Sequence, residues 1–332
     1  MTRADVAAAI LWVGATLYAL FGGADFGAGF WDLGAGEGEK GERRRALIQR
    51  SLTPVWEANH VWLIFILVVL WTAFPEAFAA IMSTLYVPLA LAALGIVLRG
   101  AGFAFRKSIR SPRLRRALGR TFAISSVLTP FFMGTVVGAI AAGNVPPGGD
   151  GDVFPSWIQP LPIMIGGMFV ASGAYLAAVF LVGDARRAGD AGLESYFVRR
   201  ALDAAAASGA FAVAGLFALH DEARYVYDRL LDQGLPLVIL SVLCGVGVLV
   251  SLLRGWRRPL RPLAAGAVIA VIWGWGVAQF PYLLPTSLKI SQAAAPGPTL
   301  DAVLIVFVVA AVVVLPALGL LYWLSQRELL GE

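Results

Sequence analysis

The chain has 332 residues, 59% hydrophobic and only 14% charged, with a net charge of +5. A soluble domain carries roughly 25% charged residues and about 45–50% apolar ones, so this composition excludes an ordinary water-soluble globule and points to lipid as solvent. The basic residues sit in short blocks between apolar runs. That is the distribution of membrane loops, and no continuous basic face for nucleic acid is present. One cysteine, Cys244, excludes an internal disulfide and a thiolate metal cluster. The first apolar run starts almost at the N-terminus and is longer than a signal h-region, so it is read as the first membrane helix.

A helix crosses the hydrocarbon core in about 20 residues. Runs of that size, about nine in all, are Val6–Phe30, Val55–Phe74, Phe78–Phe103, Thr121–Ala142, Pro160–Val182, Ala201–Leu219, Leu235–Leu253, Leu263–Leu284 and Ala302–Leu324. The sixth is alanine-rich and ends at His220-Asp221-Glu222. Short loops join the runs, so residues 1–332 read as one integral membrane domain. The expected fold is all-α, two four-helix bundles plus one extra helix.

Lys and Arg alternate sharply between loops. Lys40, Arg43, Arg44, Arg45 and Arg50 precede the second run, and Arg106, Lys107, Arg110, Arg113, Arg115, Arg116 and Arg120 precede the fourth. Arg186, Arg187, Arg199 and Arg200 precede the sixth, and Arg254, Arg257, Arg258 and Arg261 the eighth. The remaining loops hold only Arg224, Arg229 and Lys289. The positive-inside rule then puts the N-terminus outside and the C-terminus in the cytoplasm.

Ionisable groups inside spans are costly and mark function by default. Asp25 in the first run, Glu57 at the start of the second and Arg99 near the end of the third lie at similar depth on the basic side. A shared buried cluster is the economical reading, because each charge needs a partner away from water. Two bland readings compete with it. Glu57 follows Thr53-Pro54 and can simply complement a helix dipole, and Arg99 can snorkel to the headgroups. Asp25 is too short to snorkel. Gly22, Asp25 and Gly29 fall on one helical face, where small residues admit a neighbouring helix and leave room for water beside the carboxylate; plain helix packing is the alternative. His60 follows Trp56 by one turn, with Asn59 between; it reads as a hydrogen-bonding group or a haem ligand. His220 sits at the far end of the sixth run, so two histidines on opposite sides cannot hold several haems.

Several ordered motifs resemble one family. Gly23-Ala24-Asp25-Phe26-Gly27-Ala28-Gly29 is similar to its first-helix signature. Thr53-Pro54-Val55-Trp56-Glu57-Ala58-Asn59-His60-Val61-Trp62-Leu63 is similar to its second. Ala73-Phe74-Pro75, Leu98 to Arg106, Phe280-Pro281 and Leu321-Tyr322-Trp323 follow in order. The chain thus resembles subunit II of cytochrome bd-type quinol oxidases, including the cyanide-insensitive branch. It departs at His60, where the family usually has Glu or Gln, and at Ala104, where many members carry an acid.

The resemblance implies a respiratory quinol oxidase of the bacterial plasma (inner) membrane. Quinol is oxidised near the outer face and dioxygen reduced to water at b- and d-type haems on a partner, subunit I. No tightly bound cofactor is expected on this chain, and a structural quinone stays open. The implied partners are subunit I, quinol, membrane lipids and room for a small accessory subunit. By the same resemblance Glu57 and Asp25 belong to a cytoplasmic proton path, supported by Arg99, Trp56, Asn59 and His60. A secondary transporter with an acid–arginine site and a purely structural assembly subunit are the competing readings.

Overall fold

This computed structural model describes residues 2–52, 56–108 and 111–326; the side chains of Trp56 and Glu57 lie outside the described residues. The N-terminal crossing is one apolar rod of 31 residues with a changed hydrogen-bond register in its middle. Helix α1 (Arg3–Leu17) starts with a capping box between Thr2 and Asp5, which satisfies two otherwise orphaned amides. It passes through a π-helical turn, Tyr18–Gly22, into α2 (Gly23–Leu33). On the basic side α3 (Gly38–Leu52) follows; its Glu, Lys and Arg residues keep it out of the apolar core.

Helix α4 (Trp56–Ala73) and α5 (Pro75–Thr84) meet at an angle of 117°. Pro75 is the cause: it has no amide to continue the ladder, and its ring drives Phe74 out of the helical region, to φ −138°. The freed carbonyl of Ala73 accepts a bond from the Ala295 amide at 2.8 Å. The apolar run that starts at Phe78 in the sequence is therefore divided. Its first residues finish α5, and the crossing itself is α6 (Tyr86–Ser108).

Helices α7 (Pro112–Ala141), α8 (Pro160–Arg187) and α9 (Ala191–Glu222) all run past the apolar stretches legible in the sequence. Each extends into its arginine-rich end, and α7 and α8 open with proline in the first turn, where the missing amide costs nothing. Short α10 (Arg224–Leu231) connects to α11 (Leu235–Leu253), then α12 (Leu260–Gln279). The stretch Phe280–Leu284 is not helical. After the cis Phe280–Pro281 bond it forms a small hairpin of β1 (Tyr282–Leu284) and β2 (Leu288–Lys289), with Thr286 at φ 62° in its turn. Helix α13 (Ile290–Ala293) and α14 (Gly297–Gln326) complete the chain.

Among the described residues eight helices are long and apolar enough to cross a membrane, and the bent α4–α5 pair brings the number to nine. The α1–α2 rod, α4, α6 and α7 pack as one group, and α8, α9, α11 and α12 as a second. Helix α14 lies outside both, against α1 and α4. The groups join along α2, α7 and α8, where glycine lets backbones touch. A Cβ on Gly27 would stand 1.9 Å from the Gly173 carbonyl oxygen, and one on Gly134 would stand 2.7 Å from the Gly166 Cα. Without a hydrophobic driving force between helices in lipid, such close approach supplies the dispersion contact that holds them. On the basic side, ion pairs tie separate elements: Arg43 to Asp190, Arg257 to Glu194 and Arg261 to Asp184.

Candidate functional site: a buried arginine–carboxylate pair

Asp25 lies eight residues before the end of α2, and Arg99 nine before the end of α6. At about 1.5 Å per residue both are roughly 12 Å inside their helix ends. That is deeper for Asp25 than an apolar run ending at Phe30 suggests. The two meet. An Arg99 terminal nitrogen donates to Asp25 Oδ1 at 2.7 Å, with both side chains 2% exposed. The same nitrogen donates to the Asp25 main-chain carbonyl at 3.2 Å, and Nε donates to Ser126 Oγ at 3.0 Å. Ser126 in turn donates to the Phe122 carbonyl of its own helix at 2.7 Å.

The guanidinium is also held between aromatic rings. Its carbon stands 4.7 Å from the Phe26 centroid and 4.9 Å from that of Phe122. A planar, weakly hydrated cation suits such a slot, which an ammonium would not fill. Snorkelling of Arg99 is therefore ruled out; the residue is among the largest fully buried side chains.

Asp25 Oδ2 is buried and makes no hydrogen bond among the described residues. Arg99 thus occupies one carboxylate oxygen and leaves the other able to take a proton or a water. Nearby, the Tyr18 phenol lies within electrostatic reach of both charges and donates to Met133 Sδ at 3.7 Å.

The π turn explains part of this geometry. Extra residues in a turn rotate everything beyond them relative to a regular helix. Gly22 ends up beneath the ring of its own Tyr18, while Gly29 faces Ser126 and Phe122, and Gly27 faces Gly173 of α8. Gly22, Asp25 and Gly29 follow one another in helical backbone and keep their common face, but the room expected beside the glycines is filled by side chains. Asn59, 3% exposed, donates from Nδ2 to the Phe21 carbonyl inside the π turn at 3.2 Å, so α4 is fastened to the irregular backbone. His60 is half-buried, its ring edge-on to Phe26 at 6.5 Å.

Two further groups escape a reading by sequence alone. Asp32, 4% exposed, lies two turns beyond Asp25, with Arg45 of α3 at 3.5 Å; its i+7 spacing from Asp25 was the available signal. The other is the hydroxyl row Ser125, Ser126 and Thr129 on α7, all at most 3% exposed. Its i, i+1 and i+4 spacing was visible, but not the element it faces.

His60 is packed against Phe26, and His220 is bonded to Asp221 with its side chain 48% exposed. No three metal-ligating residues gather among the described residues.

Fold and site together define a many-span helical membrane protein that buries an ion pair where α2, α6 and α7 meet. Residues 3–325 match the family model described as cytochrome bd terminal oxidase subunit II. A putative cytochrome bd menaquinol oxidase subunit II of Bacillus subtilis (strain 168) is 21% identical, with 98% of this chain and 96% of that protein aligned. Cytochrome bd-I ubiquinol oxidase subunit 2 of Escherichia coli (strain K12) is 25% identical over 83% of this chain and 80% of its own length. A chain in the structure of bd oxidase from Geobacillus thermodenitrificans superposes with a TM-score of 0.83 at 25% identity, covering 98% of both chains. The chain belongs to the cytochrome bd terminal oxidase subunit II family, and is a membrane-spanning subunit of a quinol oxidase complex, an oxidoreductase of respiratory electron transport. That membership takes it out of the transporter class.

Proposed function

We propose that the whole chain acts as one membrane domain that braces a haem-bearing subunit I in the bacterial plasma membrane, N-terminus outside, and leads protons from the cytoplasm toward the site of oxygen reduction. The haems, b- and d-type, belong to that partner, which oxidises ubiquinol or menaquinol, the substrates in the relatives' names. A structural quinone in this chain and a small accessory subunit stay compatible with this arrangement.

The observation that carries the proton reading is the divided carboxylate of Asp25: Oδ1 on Arg99, Oδ2 buried without a hydrogen bond among the described residues. Arg99 makes a buried carboxylate tolerable, and the open oxygen gives a proton somewhere to bind. Glu57 takes the entry position, before Asp25, with Trp56, Asn59 and His60 at its margin. A second reading rests on the same pair. The pinning of α2, α6 and α7 by Arg99 is also what a pure assembly lock requires.

Oxygen uptake separates the two. Asp25→Asn and Glu57→Gln slow quinol-dependent oxygen reduction per haem of assembled complex if protons pass here, Asp25→Asn also lowering the yield of complex because it strands the Arg99 charge. Full turnover with both acids neutralised leaves only the assembly role.

A further inference from the structure

A second polar site lies on the basic side, away from Asp25. Arg44 of α3 and Tyr196, Arg199, Arg200, Leu202 and Asp203 of α9 line a pocket of about 400 Å³. Elsewhere on this side Arg43, Arg257 and Arg261 each face an acid from another element. Here the balance differs. Arg200 binds Asp203 at 3.1 Å, while among the described residues Arg44 and Arg199 pair with no acid. Arg44 is placed by the Ala35 carbonyl, 2.9 Å away, and by the Tyr196 ring, 3.9 Å beneath it. Arg200 stands 5.1 Å from the same ring and 5.9 Å from Trp31. Three arginines thus line one pocket with a single carboxylate, and aromatic faces support Arg44 and Arg200. Their planar forks match phosphate oxygens.

The pocket does not end in water. From Asp203 the same face of α9 continues by steps of three and four through Ala206, Ala207, Ala210, Val213 and Phe217, all exposed. Apart from Phe217 these are small or aliphatic side chains, so this exposed face of α9 is apolar and low in relief. From Arg200 to Ala210 is ten residues, or about 15 Å, half of a hydrocarbon core of about 30 Å. That is the depth of one leaflet.

We propose that Arg44, Arg199 and Arg200 bind the phosphate of an anionic phospholipid whose acyl chain lies along Ala206–Ala210. A basic pocket at the end of a membrane helix, facing the leaflet that carries the positive loops, is where anionic headgroups gather. The inference uses only the membrane-spanning character of α9 and stands apart from the proton path.

Native mass spectrometry of the intact purified oxidase, titrated with phosphatidylglycerol or phosphatidylcholine of the same chains, tests it. The expected result is one phosphatidylglycerol bound in preference to phosphatidylcholine. That binding becomes about tenfold weaker or more in Arg199→Gln/Arg200→Gln and is unchanged in Arg254→Gln, a basic residue of the same side outside the pocket. Equal retention in the double variant and the parent overturns the site. Equal binding of both lipids overturns its anion selectivity. Displacement of the lipid by inorganic phosphate makes it a soluble-anion pocket instead. Should the double variant not assemble, photoactivatable phosphatidylglycerol on the unaltered oxidase must label residues 196–213; label found only elsewhere refutes the proposal.

Discussion

Replacing Arg99 with leucine is the sharpest test of the buried pair. It removes the donor to Asp25 Oδ1, the donor to the Asp25 carbonyl and the donor to Ser126. Ser126 keeps its own bond to Phe122, so the main loss is an uncompensated carboxylate at a side chain 2% exposed. Breaking a buried pair by deleting one partner costs about 3–5 kcal/mol. Against total stabilities of roughly 5–15 kcal/mol this is about a fifth or more. The apparent melting temperature of the detergent-solubilised oxidase should fall by on the order of 5–10 °C, with a matching loss of assembled complex. The diagnostic variant is the double one. Asp25→Asn removes the stranded charge, so Asp25→Asn with Arg99→Leu should recover at least half of that loss, as neutral replacement of both partners is far cheaper. An Arg99→Leu complex as stable as the parent would refute the energetic reasoning, and so would a double variant no better than the single.

Gly27→Ala places a methyl group 1.9 Å from the Gly173 carbonyl, and should cost about 1–3 kcal/mol or more by forcing α2 and α8 apart. Gly23→Ala, whose Cβ would meet nothing closer than Leu176 at 4.0 Å, should be neutral; thermal unfolding of the two side by side gives the answer. On the basic side, the Leu193 amide, and with it the Arg43 guanidinium, hold Asp190 below the ordinary carboxylate value of 3.8, against a smaller opposing effect of burial. A depressed folded value means that its contribution is complete above the unfolded pKa and is lost as pH falls through the lower folded one. Stability of the parent should therefore decline more steeply than that of Asp190→Asn when the pH drops below 3.8; parallel acid profiles would count against the cap.

The meeting of Asp25 and Arg99 was legible because charges in lipid have few solutions: two opposite charges at similar depth must find each other or leave. Ser126 and the Phe26–Phe122 slot were not legible, since hydroxyls and aromatics have many satisfactory environments. Only the crossing of α6 and α7 selects this one. The break at Phe74 shows the same division. Ala73-Phe74-Pro75 carried the stop signal, but hydropathy is blind to direction, and a run starting at Phe78 merged the end of α5 with α6. Similarly, hydrophobic Phe280–Leu284 read as the tail of a crossing, whereas it folds as part of the hairpin.

By itself the sequence determined that this chain lives in lipid, how many times it crosses, which ends share the basic side and which family its motifs resemble. Those properties follow from transfer free energies and loop charges, which add residue by residue. Which carboxylate oxygen stays open, which glycine meets which backbone, and where three arginines share a pocket with one acid were decided only by the tertiary structure. They depend on helix phase and crossing, which the π turn at Tyr18–Gly22 alters without any trace in composition.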